Sequence, residues 1–177
     1  MYLTAVLLSV GLFATVYSSK QNRCKPRAKD QVAWQVVKAM EKDTFYAYKT
    51  TIKEAVTCSY LKVNKTDDNN HTGILLMNSG PGTGEIPTTV VGDRNLFTVD
   101  FFGEAACPVL YTDNATCGVM ASSDEKEIIL WVAGNAARDN TFNECCQKVF
   151  RREVTKMKLT PYKIFFKKCL PKKKKSS

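Results

Sequence analysis

The sequence predicts an all-β fold in which eight short antiparallel strands form an up-and-down barrel, flanked by a short helix before them and an α-helix after them. Segments rich in β-branched and aromatic residues recur at a spacing of roughly 8–12 residues, which is typical of consecutive strands. Clusters of Gly, Pro, Asp and Asn separate these segments and predict tight turns. A meander of short strands must bury its two edges, and an eight-stranded barrel does so by closing on itself.

A processing signal is predicted to precede this fold. The first 18 residues carry no charged side chain, and their apolar run over residues 5–16 is too short to span a bilayer. Val16 and Ser18 are small enough for the subsites of a signal peptidase. We therefore expect a signal peptide over residues 1–18, one folded domain over residues 19–170 and a basic, disordered tail over residues 171–177.

The remaining elements follow in order along the chain. The apolar residues Ala33, Val36, Val37 and Met40 have helical spacing, which predicts a short amphipathic helix with Asp30 as its cap. The last helix is expected over residues 142–157. Between the two helices, strands are expected over residues 44–52, 55–63, 72–78, 88–91, 95–102, 107–112, 116–121 and 127–133.

The interior of an eight-stranded barrel is either filled by side chains or holds one small ligand. Both faces of residues 128–132 are apolar, as expected of a strand that packs against a helix outside and lines a cavity inside. The same residue types suit a solid core equally well. If the barrel holds a ligand, the candidate lining residues are Tyr46, Tyr48, Phe97, Val99, Phe101, Tyr111, Ile129 and Trp131.

The presence of a single histidine, in a segment expected to be a loop, argues against an enzyme. His71 is the only histidine, and it lies in the polar run of residues 67–72, where a loop is expected. This removes His-based catalytic triads and multi-His zinc sites. No cysteine pair has the Cys-x-x-Cys spacing of a structural zinc site. We expect a binding protein with no catalytic residues, no cofactor and no metal.

Seven cysteines predict disulfide bonds in an oxidising compartment. Because the number is odd, one thiol is left over or pairs with another chain. Cys145 and Cys146 are adjacent in the predicted last helix, where neighbouring side chains point roughly 100° apart. These two cysteines should therefore bond to different parts of the chain.

Three Asn-x-Thr sequons support passage through the secretory pathway. Asn64, Asn70 and Asn114 begin them, and each falls in a segment expected to be a polar connector. We expect all three asparagines to be glycosylation sites.

Positive charge is concentrated at the end of the chain. Residues 151–177 hold eleven basic residues and one acidic residue, a local charge of +10, so the rest of the chain is near −1. In a secreted protein this favours attraction to cell-surface glycosaminoglycan such as heparan sulphate, and the alternative is a solubilising tail. Nucleic acid is not an expected partner in this compartment.

Several short motifs occur in the order and spacing of one family. They are Phe-Tyr-Ala-Tyr-Lys-Thr at 45–50, Cys-Ser-Tyr-Leu at 58–61, Ala-Cys-Pro-Val-Leu-Tyr at 106–111, Cys-Gly-Val at 117–119, Ile-Leu-Trp-Val at 129–132 and Glu-Cys-Cys-Gln-Lys-Val-Phe at 144–150. Val-Ala-Trp-Gln at 32–35 and Cys169 extend the match over nearly the whole mature chain. On these motifs the sequence resembles the tick salivary lipocalins, which include histamine-binding proteins, and its adjacent cysteines resemble the moubatin-like branch.

The resemblance implies an eight-stranded lipocalin barrel with an N-terminal helical lead, a C-terminal helix along its side and a ligand cavity. It also implies three disulfide bonds, with the choice between the adjacent cysteines left open: Cys24–Cys145, Cys58–Cys169 and Cys117–Cys146. Cys107 is then the odd thiol, which we expect to be buried and inert.

The sequence departs from the amine-binding members of this family at two positions. Those members carry an acidic residue directly after the cysteine that stands here at 117, and a Glu two residues before the aromatic residue that stands here at 131. The corresponding residues are Gly118 and Ile129. Because an ammonium group in a low-dielectric cavity needs a carboxylate, this argues against histamine or serotonin. It indicates an eicosanoid, a fatty acid or a sterol, the last through a resemblance to japanin-like proteins.

We therefore expect a monomeric protein of saliva, without a membrane span, that sequesters a small hydrophobic mediator and so suppresses host inflammatory and immune responses. An eicosanoid carboxylate would need a cation at the cavity mouth, for which the candidates are Lys49, Lys53 and Arg94. One alternative is a modulator that binds a complement component or an immune-cell receptor through its outer surface. Another is amine binding through Asp100 or another carboxylate, and the side chain of Asp100 could face the cavity or solvent.

Overall fold

Eight antiparallel strands pair in sequence order, and the first strand closes the ring by pairing with both the second and the eighth. The computed structural model describes residues 24–100 and 103–171. The predicted closed barrel is confirmed, and its strands are β1 (Phe45–Thr50), β2 (Tyr60–Asp67), β3 (Thr72–Asn78), β4 (Ile86–Asp93), β5 (Leu96–Asp100), β6 (Glu104–Thr112), β7 (Cys117–Ala121) and β8 (Ile128–Ala133). The predicted signal peptide, Phe101 and all but the first residue of the predicted tail lie outside the described residues.

The second strand lies further along the chain than predicted. Residues 55–63 were expected to form it, but residues 51–59 form a connection in which Cys58 has a left-handed φ of 65°. The strand instead continues through the polar residues Asn64, Lys65 and Thr66, and the last two pair with β3. A strand with one solvated face accepts polar residues, so apolar content alone gave wrong bounds. Strands β4 and β6 likewise begin earlier than predicted, and β4 ends later.

The sequons are exposed, but one of them is not in a connector. Asn70 and Asn114 lie in turns, as expected, whereas Asn64 lies within β2. Asn64 falls between Val63 and Lys65, where the pairing register with β3 shifts. A side chain at such an irregularity can still project from the barrel into solvent. Glycosylation at the three asparagines stays a prediction.

The first helix, α1 (Ala33–Lys42), closes one end of the barrel. Its side chains Ala33, Val36, Val37 and Met40 are completely or almost completely buried. At its start, the Ala33 amide donates a hydrogen bond to the carbonyl of Arg94 in the β4–β5 turn at 2.8 Å. We call this end of the barrel the floor. The helical spacing predicted from sequence thus places an apolar face on the open end of a ring of strands.

The predicted cap of this helix is wrong. Asp30 lies in a 3-10 turn (Ala28–Asp30), where its carboxylate accepts hydrogen bonds from the backbone and side chain of Arg27. These contacts, together with Lys29, hold the pKa of Asp30 below its ordinary value against the opposing effect of desolvation. Val32 occupies the N-cap position of α1 and supplies no side-chain hydrogen bond. The intervening turn separates Asp30 from the helix, which residue type alone did not indicate.

Two further helices and a short strand follow the barrel. Helix α2 (Gly134–Asp139), which was not predicted, leads directly from β8. Helix α3 (Glu144–Lys156) forms within the predicted residues 142–157 and packs against β6, β7 and β8. Strand β9 (Tyr162–Lys163), also not predicted, pairs with β1. In the described part of the chain, no helix is both long enough and apolar enough to cross a membrane.

Three disulfide bonds attach the chain ends to the barrel. They join Cys24 to Cys145, Cys58 to Cys169 and Cys117 to Cys146, the same pairs that the family resemblance implies. The adjacent cysteines of α3 thus bond to two different segments, the N-terminal lead and β7. The third bond fastens the C-terminal segment to the connection between β1 and β2. Such bonds are typical of chains that fold in an oxidising compartment.

Gly92 should be essential for seating α1 on the floor. A Cβ at Gly92 would lie 2.7 Å from the backbone N and Cα of Trp34, so Gly92→Ala must displace the helix. We expect a loss of about 1–3 kcal/mol in the free energy of unfolding, measured in urea, because overpacked sites cannot relax freely. Gly84→Ala is the matched control, since its Cβ would meet nothing within 4 Å. Equal stability of the two variants would contradict this account.

Candidate ligand-binding cavity

A cavity of about 250 Å³ lies inside the barrel. The residues around it come from cross-strand pairs whose side chains share the inner face: Leu61 with Met77, Phe97 with Cys107, and Met120 with Ile129. Alternate residues of a strand point to opposite faces, so these pairs define the inner face of the wall. The lining consists of Leu61, Leu75, Met77, Phe97, Val99, Cys107, Met120, Ala121, Ser122, Ser123, Ile129 and Trp131.

The cavity is closed at the floor and open at the opposite end, which we call the mouth. A Cβ at Gly118 would lie 3.9 Å from the Val36 methyl groups, so α1 reaches into the barrel interior near the floor. Ser122 and Ser123 belong to the connection between β7 and β8, which places the opening at that end. The connections 51–59 and 79–85 lie at the same end. A ligand would therefore enter between these loops.

The mouth loops are held by side-chain hydrogen bonds. The Asn78 amide donates to the carbonyl of Thr83 at 2.7 Å and accepts from the Gly80 amide at 2.8 Å. The hydroxyl of Tyr60 donates to the Glu85 carboxylate at 2.8 Å. Burial, followed by this carboxylate, raises the pKa of Tyr60 to about 12. The loop 79–85 is thus tied to the ends of β2 and β3, and the mouth is preformed.

Among the described lining residues there is no Asp, Glu, Lys, Arg or His. Ile129 lines the cavity, and Gly118 lies on the same inner face opposite Trp131. These are the two positions at which the family resemblance places acidic residues in amine binders. Asp100 is exposed and lines an open groove on the outer surface of β4, β5 and β6. An ammonium group inside would have no counter-charge from these residues, which is costly in an apolar site.

The structure places half of the sequence-predicted lining residues around the cavity: Phe97, Val99, Ile129 and Trp131. The prediction is wrong for Tyr46 and Tyr48, because both side chains lie outside the barrel wall. Both pack against Phe165 of the C-terminal segment, with ring centroids 5.5 Å apart, and Tyr48 also packs against Phe142. Phe101 lies outside the described residues.

The prediction that Tyr111 lines the cavity is also wrong. It pairs with Val119 on the outer side of the wall, because the register between β6 and β7 shifts between Val109 and Tyr111. Burial, followed by Asp113 and by Asp30 of the N-terminal lead, raises the pKa of Tyr111. Its ring therefore lies under the lead and not in the cavity.

Sequence reasoning missed most of the aliphatic lining. Leu61, Leu75, Met77 and Met120 surround the cavity, yet aromatic residues were preferred as candidates. The alternation of Leu61 with Val63 and of Leu75 with Met77 was visible in the sequence and is typical of an inner face. Applied to β2 and β3, that alternation would have identified Leu61, Leu75 and Met77.

The free thiol of Cys107 lines the cavity. It was expected to be buried and inert, but it is half-buried and faces the same space as Phe97, its cross-strand partner. Burial raises the pKa of Cys107, and a hydrogen bond from the Ser123 backbone opposes this shift. The thiol is therefore neutral at pH 7 but reachable from the mouth.

His71 lies in the turn between β2 and β3, as predicted, with a left-handed φ of 52°. Its ring stacks on Trp34 of α1 with centroids 5.1 Å apart. The residue thus helps to fasten the floor. Within the described ranges 24–100 and 103–171, no group of three or more His, Cys, Asp or Glu side chains is arranged to hold a metal ion.

A closed eight-stranded meander, with a helix on its floor, a helix along its side and an apolar cavity at its open end, is the lipocalin fold. A barrel of this size is either filled by side chains or holds one small ligand, and in this barrel a cavity of about 250 Å³ remains.

Comparison with known proteins agrees with this fold. No protein-family model and no curated protein matches the sequence. Among solved structures, the chain is similar to AM182 in a complex with serotonin, with a TM-score of 0.67 and 20% identity over 79% of this chain and 93% of that chain. It is also similar to a deswapped triple mutant of bovine odorant binding protein, with a TM-score of 0.47 and 14% identity over 67% and 89% of the two chains. At 20% identity, the first likeness shows a shared fold alone.

The thiol of Cys107 should report whether the cavity is occupied. We expect an aromatic disulfide reagent to label Cys107 slowly at pH 7 and faster at higher pH, because burial raises the thiol pKa. Saturating oleic acid should slow the labelling severalfold by blocking access from the mouth. The rate is followed by absorbance, and Cys107→Ser is the control for labelling elsewhere. An unchanged rate at saturation would show that the fatty acid does not enter this cavity.

Proposed function

We propose that this protein is a secreted lipocalin that captures a small, slender hydrophobic molecule in its barrel and keeps it from its receptor. The observation that carries the proposal is the apolar cavity, whose described lining holds no ionisable side chain except the neutral Cys107 thiol. Burial of apolar surface is then the main favourable contribution to binding. The protein acts stoichiometrically, without chemistry on the ligand.

The dimensions of the cavity favour a single aliphatic chain. Its 250 Å³ is below the range of about 300–1,000 Å³ found for pockets that hold drug-sized ligands. A fatty acid or an eicosanoid fits this better than a sterol, since its tail can enter while its head stays at the mouth.

A cation at the rim could meet a carboxylate head. Lys53 lies in the connection 51–59 at the mouth and is exposed. Lys49 pairs with Leu130 and Lys163 along β1, and Arg94 lies in a turn at the floor. Of the three cations considered from sequence, Lys53 is therefore the one placed to meet a carboxylate. Ser123 lines the cavity at the same end of the barrel.

The biological setting follows from the resemblance to tick salivary lipocalins. Three disulfide bonds and exposed sequons support secretion. A salivary carrier of eicosanoids or fatty acids would suppress host inflammation by lowering the free mediator concentration. Serotonin is bound to AM182, but Gly118 and Ile129 supply no counter-charge here.

Filling the cavity should abolish binding. Met120→Trp and Ile129→Trp each add bulk to the inner face, so we expect the affinity for a fluorescent fatty acid to fall at least tenfold, or about 1.4 kcal/mol. Ile74→Trp is the matched control, because Ile74 is 42% exposed on the outside of β3. Unlabelled arachidonic acid, cholesterol and serotonin are then added as competitors, and we expect arachidonic acid to displace the fluorescent fatty acid best. Loss of binding in the control alone would place the ligand elsewhere.

Entry of a brominated ligand should also quench the fluorescence of Trp131. The ring lines the cavity, whereas Trp34 lies at the floor beneath His71. We expect a brominated fatty acid to quench the protein fluorescence in a saturable manner, because bromine would lie close to Trp131. In Trp131→Phe the quenching should be mostly lost. Undiminished quenching in that variant would contradict binding in the barrel.

A further inference from the structure

Helix α3 presents a stripe of basic residues to solvent. Lys148, Arg151, Arg152, Thr155 and Lys156 follow one another at intervals of three, one, three and one residues, which places them on one side of a helix. They line a shallow depression of about 570 Å³. We call these five residues the basic stripe. At 1.5 Å per residue its length is about 12 Å.

The opposite face of α3 is fully used by the fold. Cys146, Val149, Phe150 and Val154 are buried, and the helix packs against β6, β7 and β8. The basic stripe itself contains no apolar side chain. A helix that inserts into a lipid surface needs an exposed apolar face. The only such face on this helix is packed against the barrel, so a bilayer does not fit the stripe.

The stripe carries more positive charge than its ion pairs neutralise. Lys148 pairs with Glu144 at 2.8 Å, and Arg152 pairs with Glu153 at 2.8 Å. Lys156 approaches the same Glu153 at 3.9 Å, so three of the four cations share two carboxylates. The fourth, Arg151, donates a hydrogen bond to the carbonyl of Gln147 at 3.4 Å. Over residues 148–168 there are eight basic residues and one acidic residue. The excess therefore extends beyond the helix.

One cation of the C-terminal segment lies near the start of α3. The ring of Tyr48 packs against Phe142, just before α3, with centroids 5.1 Å apart. The ammonium of Lys163 lies over the same Tyr48 ring, 5.7 Å from its centroid. Phe142 and Lys163 thus contact the same ring, which places Lys163 near the segment that leads into α3. Part of the positive charge at the end of the chain thus lies on residues of α3 and β9.

We propose that the basic stripe binds a sulfated polysaccharide. Arg donates paired hydrogen bonds to oxyanions, and Lys supplies point charges. Each exposed contact is weak in salt, but a chain with regularly spaced sulfate groups meets several cations at once and releases its counterions. Such a polymer is extracellular, as a disulfide-bonded protein is. Binding there would hold the barrel at a cell surface or matrix while the cavity stays free.

The test measures binding of the full chain to heparin by isothermal titration calorimetry at several salt concentrations. We expect Lys148→Gln/Arg151→Gln/Lys156→Gln to weaken binding at least tenfold and to lower the slope of log K against log salt by about two to three. The matched control is Lys29→Gln/Lys62→Gln/Lys65→Gln, which removes the same charge from exposed residues of β2 and of the segment before α1. Gln keeps the helix propensity of α3.

The outcomes separate this proposal from its alternatives. Weaker heparin binding in the stripe variant, with near-normal binding in the control variant, supports it. An equal loss in both variants would show an effect of net charge and overturn it. Loss on deletion of residues 172–177, with no effect of the stripe variant, would also overturn it. Binding of the protein to vesicles that contain phosphatidylserine, without binding to heparin, would overturn the proposal as well. Circular dichroism checks that each variant is folded, and fatty acid binding by the stripe variant tests the cavity separately.

Discussion

The barrel depends on the way in which β1 closes it. β1 pairs with β8 along its whole length, from Phe45 to Thr50, but meets β2 at only two positions, Phe45 with Leu61 and Tyr46 with Tyr60. Beyond these positions β2 is replaced by the short strand β9, which pairs with Lys49 and Thr50. The wall at this seam is therefore completed by a segment from the other end of the chain. Without it, β1 would expose an edge on the mouth side of the barrel.

The C-terminal segment is held at this seam by several kinds of contact. The Cys58 amide donates to the carbonyl of Ile164, and Cys58 is bonded to Cys169. Ile164 and Phe165 are buried. Tyr46 and Tyr48 lie between Phe165 and the barrel wall, so they serve as the packing surface for this segment. Aromatic residues that resembled a ligand site in the sequence therefore stabilise the closure on which the cavity depends.

Helix α3, which packs against the barrel wall, has two chemically different faces. The inner side of α3 is apolar and is linked to β7 through Cys146, whereas its outer side carries Lys148, Arg151 and Lys156. One amphipathic helix thus stabilises the wall and presents charge. The cavity and the basic stripe lie on opposite sides of that wall, so a ligand in one and a polyanion on the other would not compete for space.

The sequence by itself determined the number and order of the eight barrel strands, the two main helices and the closure into a barrel, since these follow from local periodicity and from the need to bury strand edges. It also indicated, through the family resemblance, which cysteines pair. Only the tertiary structure decided which side chains face the cavity. In β6, Cys107 and Val109 point inward, and uninterrupted alternation would place Tyr111 with them. The irregularity at Leu110 turns Tyr111 outward instead. Such a bulge adds one residue to a single strand and depends on the pairing with its neighbour, so no local pattern marks it.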